Sequence, residues 1–461
     1  MKRTRKQKKQ ELQEIPKLES LKQINLNAAG IDVGNTEIWV CVPEEREEQP
    51  VQSFGTFTCE LYKIADWLEV CGVETVAMES TSIYWIPLYE ILTNRGIKTY
   101  VVNAQHAKNM PGRKTDILDC QWLQQLHTYG LLTASFQPPE NILALRGLLR
   151  HCDNLIRYRA SHIQHMQKAL HLMNIQLDNV ISDITGLTGM RIIRAILDGE
   201  RNPLTLAQYR NPHCKNSQDV IAQSLEGNYR KEHLFALKQA VELYDVYTRK
   251  IEECATELEK EYALLPVKVN LADKPLPKPR KRHLWVEPAK NAGAFDLRTA
   301  LYQMCGVDLT AVDGLNAQTI QIVLSETGVD MGAWRTPKHF SSWLCLCPNN
   351  KISGGRVLSR RTQKNKNRAS RALRLAARSL HHSDSALGAF YRRMRARLGG
   401  PKAVTAAAHK LARIIYTMIT KQVEYVDLGA DYYEAKYKER EIRKLKQKAA
   451  RLGFQLVPVA A

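Results

Sequence analysis

The sequence predicts a mixed α/β domain near the N-terminus, followed by long coiled-coil helices and a mostly helical C-terminal region. Three observations carry this. Short apolar strands alternate with amphipathic helices from Asn27 to Asn103, two later stretches keep a heptad apolar seam, and a proline-rich basic segment at 274–283 precedes another apolar-periodic stretch. A chain of 461 residues is long enough for two or three domains with cores of their own.

The first region opens with two β-rich stretches between Ala28 and Pro43, on either side of the turn-forming pair Gly34-Asn35, which is a hairpin signal. Val51–Thr58 reads as another strand, Glu60–Val70 as a helix, Glu74–Met78 as a short buried strand, Ser82–Asn94 as a helix ended at Gly96, and Lys98–Val102 as a strand. Strands first and then a β-α-β-α order point to a mixed sheet with helices on its faces, a class that includes the ribonuclease H-like arrangement.

The seams follow. Leu145, Leu149, Cys152, Ile156, Arg159, Ile163, Met166, Leu170 and Met173 step by fours and threes, with Arg159 as the one charged member. Leu234, Leu237, Val241, Tyr244, Thr248, Ile251, Ala255, Leu258, Tyr262 and Leu265 form the second seam. Such seams pack against each other within a subunit or pair two subunits as a coiled coil, and the spacing is the same in both cases. The expected organisation is a basic disordered arm (1–26), an α/β domain (27–137), a helical coiled-coil region (138–265), a Pro/basic linker (266–293), a helical domain (294–425) and a charged helical tail (426–461).

A net charge of +20, from 67 basic against 47 acidic residues, points to a polyanionic partner, and the excess is clustered at 1–9, 278–282, 356–378, 392–397 and 436–451. No apolar run is long enough to span a bilayer, and the basic N-terminus lacks the apolar stretch of a secretory signal, so a cytoplasmic protein without a membrane partner is expected. Ten cysteines without a C-x-x-C pair suit reduced thiols and argue against zinc.

Asp32 interrupts the apolar run Gly30-Ile31-Asp32-Val33-Gly34, and a lone buried carboxylate costs several kcal/mol unless a cation compensates it. Glu79 follows Val76-Ala77-Met78 at the end of a second strand, where open sheets tend to place ligand sites. Asp116 and Asp119 share a helix face by their spacing. Hard oxygen donors of this kind suit Mg²⁺ or Mn²⁺, and paired ions of this type stabilise phosphoryl transfer.

The segments Gly30-Ile31-Asp32-Val33, Ala77-Met78-Glu79-Ser80-Thr81 and Pro111 to Asp119 (PGRKTDILD) resemble the DEDD transposases of the insertion-sequence 110 family, whose N-terminal domain has the RuvC resolvase fold. The resemblance implies that Asp32, Glu79, Asp116 and Asp119 bind the metal, with Arg113 and Lys114 as phosphate contacts. Tyr84-Trp85 and Tyr129-Gly130-Leu131-Leu132 look like further family sequence.

In the C-terminal region, residues 306–325 read as a helix, a turn at Gly314 and a second helix, similar to helix-hairpin-helix elements that offer N–H groups to phosphates. Ser353-Gly354-Gly355-Arg356 and the basic helix Asn367-Arg368-Ala369-Ser370-Arg371 resemble the transposase-20 domain of the same family, and the longer pattern with Ala386 to Tyr391 resembles its 1111 branch. Ser353 matches the family's catalytic serine, with Ser359 as the next candidate. A glycine-flanked serine is approachable, and Arg356, Arg360, Arg361 and Arg368 could hold the attacked phosphate, with Arg371 as a further candidate nucleic-acid contact.

The resemblance implies a recombinase of a mobile element that cuts and rejoins donor and target DNA through a phosphoserine, in a homo-oligomer guided by a non-coding RNA from the element. Two other readings remain open: a RuvC-like metal-dependent nuclease or junction resolvase using the four acids alone, and a non-catalytic nucleic-acid-binding scaffold.

Overall fold

The computed structural model describes residues 22–80, 82–103, 116–278, 295–363 and 367–457. The chain divides into two compact units, residues 1–137 and 138–461. The expected basic arm, apart from residues 22–26, and Arg113 and Lys114 lie outside the described residues.

In the first unit, strands β1 (Ala28–Val33), β2 (Ile38–Cys41) and β3 (Val51–Phe54) form an antiparallel meander. Helix α1 (Thr58–Val70) leads to β4 (Thr75–Glu79), and α2 (Trp85–Asn94) leads to β5 (Lys98–Val102). Both later strands run parallel to β1, which gives the order β3-β2-β1-β4-β5. A mixed sheet with helices is therefore observed as expected, and this order is compatible with the ribonuclease H-like class. The third strand ends at Phe54 and the second helix begins at Trp85, each shorter than the sequence pattern suggested.

The pleat divides the sheet residues between two faces. Ala29, Ile31, Val33, Val76 and Met78 pack with Leu61, Ile64 and Leu68 of α1 and Leu88 and Leu92 of α2 in one apolar core. The alternate residues, Gly30 and Asp32 on β1 and Thr75, Ala77 and Glu79 on β4, therefore face the other way, toward α3 (Asp116–Thr128).

The C-terminal end of α3 is tied to the sheet. The His127 ring lies 4.7 Å from that of Tyr100, and its Nε2 is 2.9 Å from the Thr75 hydroxyl. That hydroxyl donates to the Lys98 carbonyl (2.9 Å), so Nε2–H is assigned as the donor to Thr75 Oγ1. Residues 22–26 are attached at the same place, since Ile24 and Asn25 donate backbone N–H bonds to Thr128 O (2.8 and 2.9 Å).

The second unit is helical. Its frame is α4 (Glu140–Leu172) and, beyond the short helices α5 (Leu177–Val180), α6 (Leu187–Leu197), α7 (Pro203–Ala207) and α8 (Gln218–Ser224), the 34-residue α9 (Lys231–Leu264). The two predicted seams meet within the chain as an antiparallel pair: Cys254 Sγ reaches Leu148 O (3.6 Å), Arg159 reaches Thr248 Oγ1 (3.3 Å), and Leu170 and Leu237 share a core. Arg159 fits the seam because its guanidinium also lies 5.7 Å above the Tyr244 ring. Helices α5 to α8, from the stretch the sequence left unassigned, cover one end of the pair through Leu177, Ile192, Ile196, Leu206 and Ile221.

Of the predicted linker, residues 266–278 are described and contain no regular element, though Lys268 and Pro277 bond to Gln303 and Arg298. Then come α10 (Leu297–Cys305), α11 (Ala317–Thr327), α12 (Pro337–Trp343), the hairpin β6 (Lys351–Ser353) and β7 (Arg356–Ser359), α13 (Arg368–Ser379), α14 (Ala386–Leu398), α15 (Gly400–Lys421) and α16 (Gly429–Arg451). The expected helix-turn-helix at 306–325 is corrected in its first arm, which is a single 3-10 turn at Leu309–Ala311. Gly314 has φ +86°, and a Cβ there would approach Ala376 O and the Leu380 side chain to 3.0 Å, so this turn packs on the end of α13. Among the described residues no helix is long and apolar enough to cross a membrane.

Burial, with Lys98 nearby, pushes the His127 imidazole down from 6.5 to about 4. The folded state then refuses a proton that the unfolded chain accepts. Its contribution is present above pH 6.5 and is lost as pH falls from 6.5 toward 4. Hydrogen-exchange protection of β1 and β4 should drop across that window by on the order of 2–3 kcal/mol, and His127→Gln should remove that part of the pH dependence.

Candidate active site

The acids of the first unit are brought to one end of the sheet by strand register and by one glycine. Gly30 pairs with Ala77 and Ile31 with Met78 on parallel strands, so Asp32 and Glu79 follow side by side at the carboxyl ends of β1 and β4. Both lie on the α3 face, with Glu79 buried (7% exposed) and Asp32 half-buried.

A Cβ on Gly30 would stand 2.2 Å from both Cys120 O and Gln124 N, so the α3 backbone rests directly on β1 there. Since the end of α3 lies over Thr75, at the start of β4, the helix runs antiparallel to β1 and β4. Its first turn, which contains Asp116 and Asp119, is therefore at the same end of the sheet as Asp32 and Glu79. Burial, Cys41 and then the Asp32 carboxylate raise the Cys120 thiol pKa, which puts Asp32 within electrostatic reach of the residue after Asp119.

The four-carboxylate donor set has the chemistry of a hard divalent cation site. Among the described residues, however, no group of three His, Cys, Asp or Glu side chains is placed to hold a metal ion. Asp32, Glu79 and Asp119 by themselves do not complete one, and the Asp116 side chain lies outside the described residues.

Ser353 belongs to the second unit. It ends β6 and pairs with Arg356 across a two-residue turn, Gly354-Gly355, whose φ values are +52° and +74°. Two successive positive φ values are what a tight right-twisted hairpin requires, and glycine supplies them without a Cβ clash. The glycine-flanked turn expected at Ser353 is present, as the tip of a short hairpin. Its strands are three and four residues long and almost wholly exposed, so no periodic signal marked them as strands.

Ser353, Arg356, Arg360 and Arg361 are all exposed, and Ser359 is half-buried. The hairpin is closed at its base by Asn349 N–H donating to Arg361 O (3.1 Å) and a bridge between Pro348 and Thr362.

Arg371 is exposed on α13, but Arg368 is already engaged. It pairs with Asp153 of α4 and lies 3.9 Å from Glu326 of α11. Glu326 also accepts a forked bond from Arg150 (2.8 and 2.9 Å) and has Arg146 at 3.8 Å. Burial, then Arg150, lowers the Arg146 pKa, while Glu326 opposes that shift. Sequence reasoning missed this cluster, although Arg146 and Arg150, one turn apart and each next to a seam leucine, were a signal for it.

Two family models match the chain. A DEDD transposase model for IS110 covers residues 29–175, and one described as the transposase IS116/IS110/IS902 family covers 306–392, together just over half of the chain. The chain belongs to the IS110 transposase family. Comparison with curated proteins finds no match. The four acids of the transposase fall in the first matched range, and Ser353 with its five arginines in the second. DNA is accordingly the substrate of this transposase, and strand recombination is its class of reaction.

Because backbone atoms oppose Gly30, Gly30→Ala should push α3 off the sheet rather than be absorbed by side chains. Overpacking of this kind costs about 1–3 kcal/mol. Hydrogen exchange should speed up first in α3, and transposition should fall even where the sheet stays protected.

Proposed function

We propose that this transposase cuts and rejoins donor and target DNA through a covalent bond between Ser353 and the DNA phosphate, assisted by a divalent cation bound by Asp32, Glu79, Asp116 and Asp119. The observation that carries the reading is Ser353 itself, exposed at a hairpin tip in the matched transposase region with Arg356 directly across the turn. The 1111 branch, a RuvC-like fold for the first domain, a homo-oligomer and a guide RNA from the element belong to the same proposal, supported by the sequence resemblance and the positive charge.

In this reading the Ser353 Oγ–P bond forms as the bond from phosphorus to the leaving strand oxygen breaks. The serine proton passes to a base or to water, and the departing oxygen takes up a proton as a hydroxyl. Attack by a strand hydroxyl on the phosphoserine reverses these changes and seals the new junction, so the phosphodiester energy is kept. Arg356, Arg360 and Arg361 would hold the non-bridging oxygens and offset their growing charge. Asp32 and Glu79, side by side on adjacent strands, would provide the fixed part of the cation site. A bound Mg²⁺ or Mn²⁺ would supply charge neutralisation at the phosphate.

The test uses supercoiled donor and target DNA with the full chain and its co-purifying nucleic acid. Ser353→Ala is expected to abolish covalent protein–DNA adducts and strand exchange while DNA affinity stays within about twofold, a change below 1 kcal/mol. Asp32→Asn, or removal of divalent ions with a chelator, should lower exchange by at least the ~10²-fold typical of losing one electrostatic catalytic element. Exchange or cleavage that survives Ser353→Ala but not Asp32→Asn would assign the chemistry to the acids alone.

A further inference from the structure

We propose that α16 binds duplex DNA along one face, making the tail beyond both family matches a DNA-binding arm of the second unit. The identity of the partner rests on the transposase reading. The placement of the arm rests on the helix itself.

None of the residues of α16 is buried. Its first half is nevertheless anchored. The Arg393 guanidinium of α14 sits 3.8 Å above the Tyr437 ring and 4.9 Å from that of Tyr433, and Lys410 of α15 lies 5.3 Å from Tyr433. Backbone bonds reinforce the entry: Ala430 N–H donates to Asp384 O (3.1 Å), and Ala386 N–H donates to a carboxylate oxygen of Asp427 (3.0 Å). These contacts identify the side of α16 that faces the body of the unit as the side of Tyr433 and Tyr437.

Steps of three and four residues continue that side past the anchor through Arg440, Lys444, Lys448 and Arg451, all exposed. From Arg440 to Arg451 the row rises about 16 Å. Away from that row lie Ile442, Leu445 and Ala449, so the cations from Arg440 to Arg451 form a row apart from a narrow apolar strip. Lys444 also meets Glu441 at 2.9 Å, an exposed pair one turn apart of the kind that yields readily to a stronger anion.

Between 436 and 451 there are eight Lys and Arg residues against two Glu. A row of fixed cations at helical spacing complements a line of phosphates, and its anchored end removes part of the ordering cost that a loose tail would incur on binding. A basic amphipathic helix also suits anionic lipid, but the family's substrate is DNA. An A-form RNA major groove is too narrow and deep to admit a helix, whereas the B-DNA groove admits one.

The experiment measures binding of the full chain to a short fluorescent DNA duplex over a salt series. It compares Arg440→Gln/Lys444→Gln with Lys438→Gln/Lys446→Gln, which remove the same charge from other sides of the helix. The first pair should weaken Kd on the order of tenfold and make the salt slope shallower by about 1.8, two lost phosphate contacts, while the second should alter both far less. Equal effects of the two pairs would overturn the proposal, leaving net charge as the cause. So would unchanged DNA binding by the first pair, including the case where binding to an RNA duplex or to anionic vesicles falls instead. The two readings fail separately: strand exchange surviving Ser353→Ala sinks the serine mechanism whatever the arm does, and wild-type DNA affinity in the first pair sinks only the arm.

Discussion

Everything assigned to the first unit depends on the direct seating of the α3 backbone on β1 at Gly30. No other residue leaves room for that contact, because Cys120 O and Gln124 N occupy the volume of a Cβ. The close approach fixes the height of the helix, and the His127–Thr75 bond fixes its direction. With both set, the pleat selects which strand residues face the helix. Asp32 and Glu79 are thereby turned away from the apolar core formed with α1 and α2. An acid one position earlier or later on β1, or one position earlier on β4, would be placed in that apolar core.

The second unit is organised by the α4–α9 pair and by the charged cluster where α4 meets α11 and α13. Glu326 and Asp153 face Arg146, Arg150 and Arg368, so positive charge is in excess by one. Ion pairs of this kind add little net stability compared with apolar packing, but a lost partner leaves an expensive charge behind. Their effect is on geometry. The forked Arg150–Glu326 contact admits few alternative alignments and ties the end of α11 to the long helix, while Arg368–Asp153 ties the start of α13 to it.

Much of the first unit was legible because its central strands β1, β2 and β4 are almost wholly buried apolar runs bounded by turn residues. Thr75 to Glu79 is a run of five buried residues, and its bounds came within one residue of the pattern. The pairing of the two seams was not legible, since a heptad stripe looks alike whether its partner is in the same chain or another. The β6–β7 hairpin was hidden for the opposite reason: Lys351, Ile352 and Ser353 are all exposed, so the strand owes nothing to burial, and only Gly354-Gly355 hinted at a turn. The importance of Gly30 could be read only as part of a motif, because the atoms that forbid a side chain there come from 90 residues further along the chain.

The hairpin around Ser353 also has a directional property. Leu358 is an extra residue on β7, since Ile352 pairs with Val357 but Lys351 pairs with Ser359. A bulge of this kind reverses the alternation of the strand beyond it. The side of the ribbon on which the Ser353 hydroxyl emerges is decided by counting along β6, one residue between the base of the hairpin and Ser353 being enough to swap front for back. Related chains that differ by one residue between Pro348 and Ser353 would present their hydroxyl to the opposite side, whereas an extra residue on β7 is absorbed as the Leu358 bulge, so length in the first arm constrains the site as strictly as residue identity does.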